Sequence, residues 1–224
     1  FLSSPLKAET CRQALALGLD VSGSVDGREY RLQLDGLATA LGAPEVVAAL
    51  LEPTGGPVRI AVFEWSDPTQ QRVIVNWTEV PDADALAKVQ AILLQTQRGD
   101  MGPNTGLGDA MRVGLSMLSQ HPDCWTRTLD ISGDGKGNTG RRPQDITDLP
   151  TGVTVNGLVI GADDGVQQPQ IGELAAYYTA YVIRGSGAFV ETALGFDDYA
   201  DAMKRKLLRE LTSLAIGQLS PDMR

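Results

Sequence analysis

Ala14-Leu15-Ala16-Leu17-Gly18-Leu19-Asp20-Val21-Ser22-Gly23-Ser24 joins an apolar run to an alternating row of oxygen-bearing side chains. Its first six residues have almost no polar face, as a strand buried on both sides of a sheet does; a short piece of buried helix is the alternative. Downstream, Leu34, Leu37, Ala38, Leu41, Val46, Val47, Leu50 and Leu51 recur near helical spacing, which predicts a helix over Arg28 to Leu51. The triplet Asp20, Ser22 and Ser24 therefore falls on a strand-to-helix turn, and open parallel sheets bind ligands outside the carboxyl ends of their strands. Carboxylate and hydroxyl oxygens suit hard divalent cations such as Mg²⁺, which keep several waters. Asp-x-Ser-x-Ser alone arises by chance in many chains, so a site requires partners from elsewhere in the sequence.

The rest of the chain supplies places for them. Glu52-Pro53-Thr54-Gly55-Gly56-Pro57 ends the first helix, and Val58 to Trp65 and Arg72 to Trp77 read as a hairpin around an Asp-Pro turn. Pro81-Asp82-Ala83-Asp84 opens a helix to Thr96 with acidic residues in its first turn. Another helix is predicted over Gly106 to Gln120, striped by Leu107, Ala110, Met111, Leu115 and Leu118, with Thr105 as N-cap. Thr126 to Ser132 is a buried strand running into the Gly-rich Gly133 to Asn138. Val153 to Ile160 and Ala188 to Ala193 read as further strands with a helix between them. Phe196 to Ile216 closes with an amphipathic helix on Tyr199, Met203, Leu207, Leu211 and Leu214. This order argues a three-layer, doubly wound α/β fold whose mostly parallel sheet carries one antiparallel edge strand. Residues 1–217 are expected to form one domain, with 218–224 a loosely ordered tail.

With 19 Lys and Arg against 28 Asp and Glu, the net charge of −9 disfavours nucleic acid and anionic lipid as partners. No apolar run approaches the roughly 18 residues of a membrane-spanning helix. The chain starts at Phe1 rather than Met, which suggests a processed N-terminus and a removed signal peptide. Cys11 and Cys124 each precede a predicted buried strand. If those strands are parallel neighbours, the sulfurs come within disulfide reach, as in an oxidising compartment; two inert buried thiols are the alternative.

Asp20-x-Ser22-x-Ser24, Thr105 and Asp134-Gly135 now lie at strand ends or a helix start, in order along the chain. This arrangement resembles the von Willebrand factor type A (VWA) domain with its metal-ion-dependent adhesion site, from about Leu15 to Ile216. The resemblance implies Ser22, Ser24 and Thr105 as hydroxyl ligands, with Asp20 and Asp134 binding directly or through water. It also implies Mg²⁺, with Mn²⁺ or Ca²⁺ as substitutes, and an open metal position filled by an Asp or Glu carboxylate of a protein partner. Ala16 to Asp26, Glu64-Trp65-Ser66, Ile131 to Gly135 and Gly187 to Val190 look most like a family of bacterial exported VWA-like proteins of unsettled function. A periplasmic or extracellular location follows from that resemblance as an expectation.

Other chemistry is poorly supported. The one histidine, His121, excludes a multi-His metal site and leaves no base for a serine nucleophile; it is expected at a helix end as a cation suited to the dipole. Gly133 to Gly140 lacks the Gly-Lys-[Ser/Thr] ending of a phosphate-gripping loop. Asp163-Asp164 and Asp197-Asp198 read as solvated surface, and Trp65, Trp77 and Trp125 as core or edge packing. Lys136, Arg141 and Arg142 are expected to be ordinary solvated loop residues; the alternative is a basic rim attracting an acidic partner. Separately, caps and turns could account for Asp20, Ser24, Thr105 and Asp134 one at a time. A structural docking subunit with incidental metal, and a metal-assisted hydrolase lacking a recognisable general base, are the competing functions.

Overall fold

β1 (Gln13–Asp20) is buried along its whole length, and its two faces differ in size. Leu15, Leu17 and Leu19 enter one core layer while Ala14 and Ala16 enter the other, the alternation that a strand between two helix layers requires. A computed structural model describes residues 11–54, 56–161 and 170–217, the side chains of 213–217 excepted. Phe1 to Ala8, Asp163-Asp164 and the expected tail 218–224 lie outside the described residues.

The remaining strands are β2 (Val58–Trp65), β3 (Gln71–Val80), β4 (Thr126–Gly133), β5 (Val153–Gly161) and β6 (Val190–Leu194). They form one sheet in the order β3-β2-β1-β4-β5-β6, parallel throughout except for the antiparallel β2–β3 pair at one edge. Three helices, α1 (Gly27–Leu41), α3 (Ala83–Gln95) and α6 (Tyr199–Gly217), cover one face, with α2 (Pro44–Leu50) against α6. The other face is covered by α4 (Leu107–Leu118) and α5 (Ile171–Tyr181). The three-layer α/β fold with one antiparallel edge strand is thus as the sequence led one to expect.

The single helix expected over Arg28 to Leu51 is in fact two, α1 and α2. Gly42 and Ala43 interrupt it, and Pro44, which cannot donate an intrahelical hydrogen bond, becomes the first-turn residue of α2. The apolar periodicity bridged the break because Val46 and Leu50 still face the same core. Likewise, a short 3₁₀ turn at Phe196–Asp198 precedes α6 in place of a helix starting at Phe196.

Parallel pairing sets β1 beside β2 and β4, and the connection after β1 runs to one side of the sheet, to β2, while the connection after β4 runs to the other, to β5. At that reversal the loops after β1 and β4 part and leave a crevice, where such folds place ligands. At the other end of the same two strands, Cys11 and Cys124 form a disulfide. The open choice between bridge and free thiols is settled in favour of the bridge by the β1–β4 adjacency.

Candidate metal centre

Asp20 is the last residue of β1 and only 1% exposed. Its Oδ1 accepts from the Ser22 backbone N–H at 2.8 Å, which folds the chain sharply and turns the next hydroxyls back over the strand end. Ser22 Oγ and Ser24 Oγ stand 3.3 Å apart, and Ser24 Oγ donates to Asp134 Oδ1 at 2.8 Å. Asp134 follows β4 directly, so strand adjacency brings together residues far apart in sequence. Thr105 Oγ1 lies 4.0 Å from where a side chain on Gly135 would begin, on the same loop as Asp134. All five expected residues therefore converge on the crevice between the β1 and β4 loops.

The convergence is built by residues that sequence reasoning missed. Arg98 donates to the backbone oxygens of Val21, Ser22 and Val25, so one guanidinium clamps the whole Asp20–Ser24 turn. Gln33, a buried polar residue in the apolar stripe of α1, donates to the Asp20 carbonyl at 3.0 Å. Asn138 accepts from the Thr105 N–H at 2.9 Å and returns its own N–H to the Thr105 carbonyl at 3.0 Å. Gly23 donates to the Pro103 carbonyl at 3.0 Å, an approach so close that a Cβ on Gly23 would meet the same oxygen at 3.0 Å. Gln33 carried a signal, a polar residue at a core position of a helix. Arg98 lies in irregular sequence and carried none.

Helix capping does not account for the hydroxyls. The N-cap of α1 is Asp26, in a capping box with Glu29, and not Ser24. Thr105 was expected to cap the next helix, yet the N-cap of α4 is Gly106, with no side-chain cap bond. Gly106 fills that position because a Cβ there would stand 2.8 Å from the Ser66 carbonyl.

Charge is the strongest feature of the site. Asp20 Oδ2 and Asp134 Oδ2 are buried without a hydrogen-bond partner among the described residues. Burial, then the charge of Asp134, pushes the Asp20 carboxyl up to about 8. Burial also raises Asp134, and the charge of Glu29 adds to this, against the Ser24 hydrogen bond. Among the described residues no basic side chain pairs with either carboxylate, since Lys136 is engaged by Glu173, Arg28 by Asp197, and Arg98 by backbone oxygens. Two buried carboxylates facing each other with three hydroxyls at hand form a hard-oxygen donor set that fits a divalent cation.

The alternative of a basic rim does not amount to a free patch, because each member has an acidic neighbour: Lys136 has Glu173, Arg141 has Asp109 at 3.5 Å and Arg142 has Asp145 at 2.9 Å. His121 follows α4, but burial and then the charge of Arg59 lower its pKa, so it is a neutral ring edge-on to Trp77 and not a dipole-stabilised cation. A second grouping of possible ligand atoms, His121, Asp123 and Cys124, is no metal site: the sulfur is in the disulfide, and Arg59 reaches Asp123 at 2.8 Å. Trp65 is fully buried, while Trp125 is 44% exposed.

Solved structures with the same architecture include von Willebrand factor type A domains, and the fold here is of that class. A VWA protein from Catenulispora acidiphila superposes with a TM-score of 0.61 at 16% identity over 90% of this chain and 43% of that one. A minor pilin, PilB of Streptococcus sanguinis, matches with a TM-score of 0.64 at 14% identity over 97% of this chain and 65% of its own. Proximal thread matrix protein 1 of the mussel byssus, in a form with a zinc-occupied adhesion-site motif, matches at 0.59 and 19% identity over 92% of this chain and 48% of that one. This chain thus spans less than two thirds of each of these proteins. No curated protein matches. By sequence the chain belongs to the family described as "Protein of unknown function (DUF1194)", whose model matches residues 10–215.

Proposed function

We propose that this domain is a non-enzymatic, divalent-metal-dependent binding module that captures an acidic group of a protein partner. The observation that carries this reading is the pair of buried, facing carboxylates, Asp20 and Asp134, to which the described part of the chain brings no cation. Ser22, Ser24 and Thr105 would complete the protein's share of the ligands, with Mg²⁺ the expected ion and Mn²⁺ or Ca²⁺ as substitutes. A bound ion held by so few protein charges would retain positive character and supply an open position for an incoming carboxylate. The chain's own residues do the rest: Arg98 and Gln33 fix the Asp20–Ser24 turn, and Asn138 fixes Thr105.

Two further features support an exported setting, periplasmic or extracellular. The Cys11–Cys124 disulfide persists in oxidising compartments, and among the described residues no helix is long and apolar enough to cross a membrane. The adhesive and pilus proteins among the structural neighbours are in keeping with a protein partner.

The test is capture of partners from an envelope fraction, with and without EDTA, by the unaltered protein and by Asp20→Ala. Capture that disappears under both treatments supports the proposal. A stoichiometric assembly that survives both would instead mean a docking subunit with incidental metal. Turnover of phosphoesters or esters on adding Mn²⁺ would mean a hydrolase.

A further inference from the structure

The floor of the metal centre contains polar groups that the ligand set does not use. Tyr178, on α5, is fully buried, and among the described residues its hydroxyl has no hydrogen-bond partner; neither has the indole N–H of Trp65, the fully buried last residue of β2. Asp20 Oδ2 and Asp134 Oδ2 are the unpartnered acceptors of the same region. A buried phenol or indole normally finds a partner, because a donor taken out of water and left unsatisfied is costly. Two unpaired donors beside two unpaired acceptors therefore form a matched set.

Gly133 locates them. A side chain on Gly133 would begin 2.5 Å from the Tyr178 hydroxyl, 3.1 Å from Asp20 Oδ2 and 3.5 Å from Trp65 Cζ2, the ring carbon next to the one that bears side-chain nitrogen. Hence the hydroxyl and Asp20 Oδ2 are no farther apart than the sum of the first two distances, across a spot that only glycine leaves open. The outer oxygens, Asp20 Oδ1 and Asp134 Oδ1, are already held by the Ser22 N–H and the Ser24 hydroxyl. The Oδ2 side is where a further donor can act.

We propose that Tyr178, seconded by Trp65, is a positioning residue of this centre: its hydroxyl donates to the Oδ2 side of the Asp20–Asp134 pair, directly or through one buried water, and so sets the affinity for the cation. The inference rests on the metal reading of the five residues. Groups that orient metal-ligating carboxylates from behind typically change affinity by 10–100-fold. A tyrosine on α5 also ties that helix to the occupancy of the site, since the same side chain packs in the core formed by Leu174 and Val182.

The experiment is titration of the full chain with Mn²⁺, followed by calorimetry and by the electron paramagnetic resonance spectrum of the bound ion, for the unaltered protein, Asp20→Ala, Tyr178→Phe and Gly133→Ala. Tyr178→Phe keeps the ring and removes one oxygen. It is expected to weaken Mn²⁺ binding by about 10–100-fold and to alter the spectrum, while the melting temperature of the metal-free protein stays the same or rises. Gly133→Ala, whose methyl group would displace the hydroxyl, is expected to weaken binding in the same direction. If the unaltered protein binds Mn²⁺ and Asp20→Ala does not, but Tyr178→Phe binds with unchanged affinity and spectrum, the role of Tyr178 is overturned and the metal reading stands. If the unaltered protein binds no Mn²⁺, or Asp20→Ala binds it equally well, both are overturned.

Discussion

Two of the groups of buried carboxylates in this fold are provided for differently. Within the interface between the sheet and α6, Lys206 lies fully buried 2.9 Å from Asp130 and 2.5 Å from Glu210. Asn156 donates to Glu210 at 2.7 Å and accepts from the Phe189 N–H at 3.1 Å. Burial opposes the charge on Lys206, but Asp130 and Glu210 outweigh it and raise its pKa. At the carboxyl edge of the same sheet, Asp20 and Asp134 are about as buried, and among the described residues no basic side chain comes to them. Burying a charge is tolerated when a counter-charge is built in. The contrast teaches that this chain can supply an internal cation where structure alone is at stake, and has not done so at the crevice.

That comparison can be broken most directly at Lys206. Lys206→Met removes the buried cation 2.9 Å from Asp130 and is expected to lower stability by about 3–5 kcal/mol, equally with and without divalent cation, in denaturant titrations. A loss that added Mg²⁺ reverses would mean the two groups are not independent. Reduction of the Cys11–Cys124 bridge, which closes a loop of 113 residues in sequence separation, is expected to cost about 2–4 kcal/mol. Because the bridge ties the opposite ends of β1 and β4, Mn²⁺ affinity of protein that remains folded should not change. A fall in affinity on reduction would show that the far strand ends help to set the site.

Dependence on pH separates the groups by sign and by rescue. The Asp20 carboxyl is raised to about 8 by burial and Asp134, and the Asp130 carboxyl to about 7 by burial, with Glu210 adding and Lys206 opposing. A carboxyl raised in the native state binds its proton more tightly there than in the unfolded chain. Its contribution is fully present below about pH 4 and is lost as the pH rises toward the native value. Chelated protein should therefore lose stability as the pH rises from about 4 to 8, seen as a falling melting temperature. Saturating Mg²⁺ should remove the part due to Asp20 and leave that due to Asp130. The smallest effect is expected from Asp20→Asn, which removes one of two facing charges. Metal-free protein should gain stability at pH 8, and the stabilisation by Mg²⁺ should vanish; a mutant that loses stability in chelator would argue that Asp20 serves the fold and not a cation.

Much of this molecule was legible in the primary sequence. The even alternation of Leu and Ala in β1, the Asp-Pro turn of the hairpin and the stripes on α4 and α6 are local patterns, each readable because helices and strands repeat every 3.6 and 2 residues. What failed was also local in cause: apolar spacing ran across Gly42 to Pro44, so α1 and α2 merged, and Thr105 was placed one residue too early as a cap. The charge partners of Lys136 and Arg141 come from α5 and α4, and such neighbours in space have no signature in spacing; Arg142 meets Asp145 only three residues along the chain.

By itself the sequence determined the elements, their order and the oxygen-bearing residues at the strand ends, because these depend on backbone preference and on which side chains can ligate a hard cation. Only the tertiary structure decided that those oxygens meet. The parallel β1–β4 pairing sets Asp20 beside Asp134, Arg98 reaches back to clamp the turn, and the missing side chain of Gly133 opens the floor to Tyr178. Burial then makes the site what it is, since two carboxylates removed from water and from every basic side chain described leave a demand for positive charge that no single stretch of sequence displays.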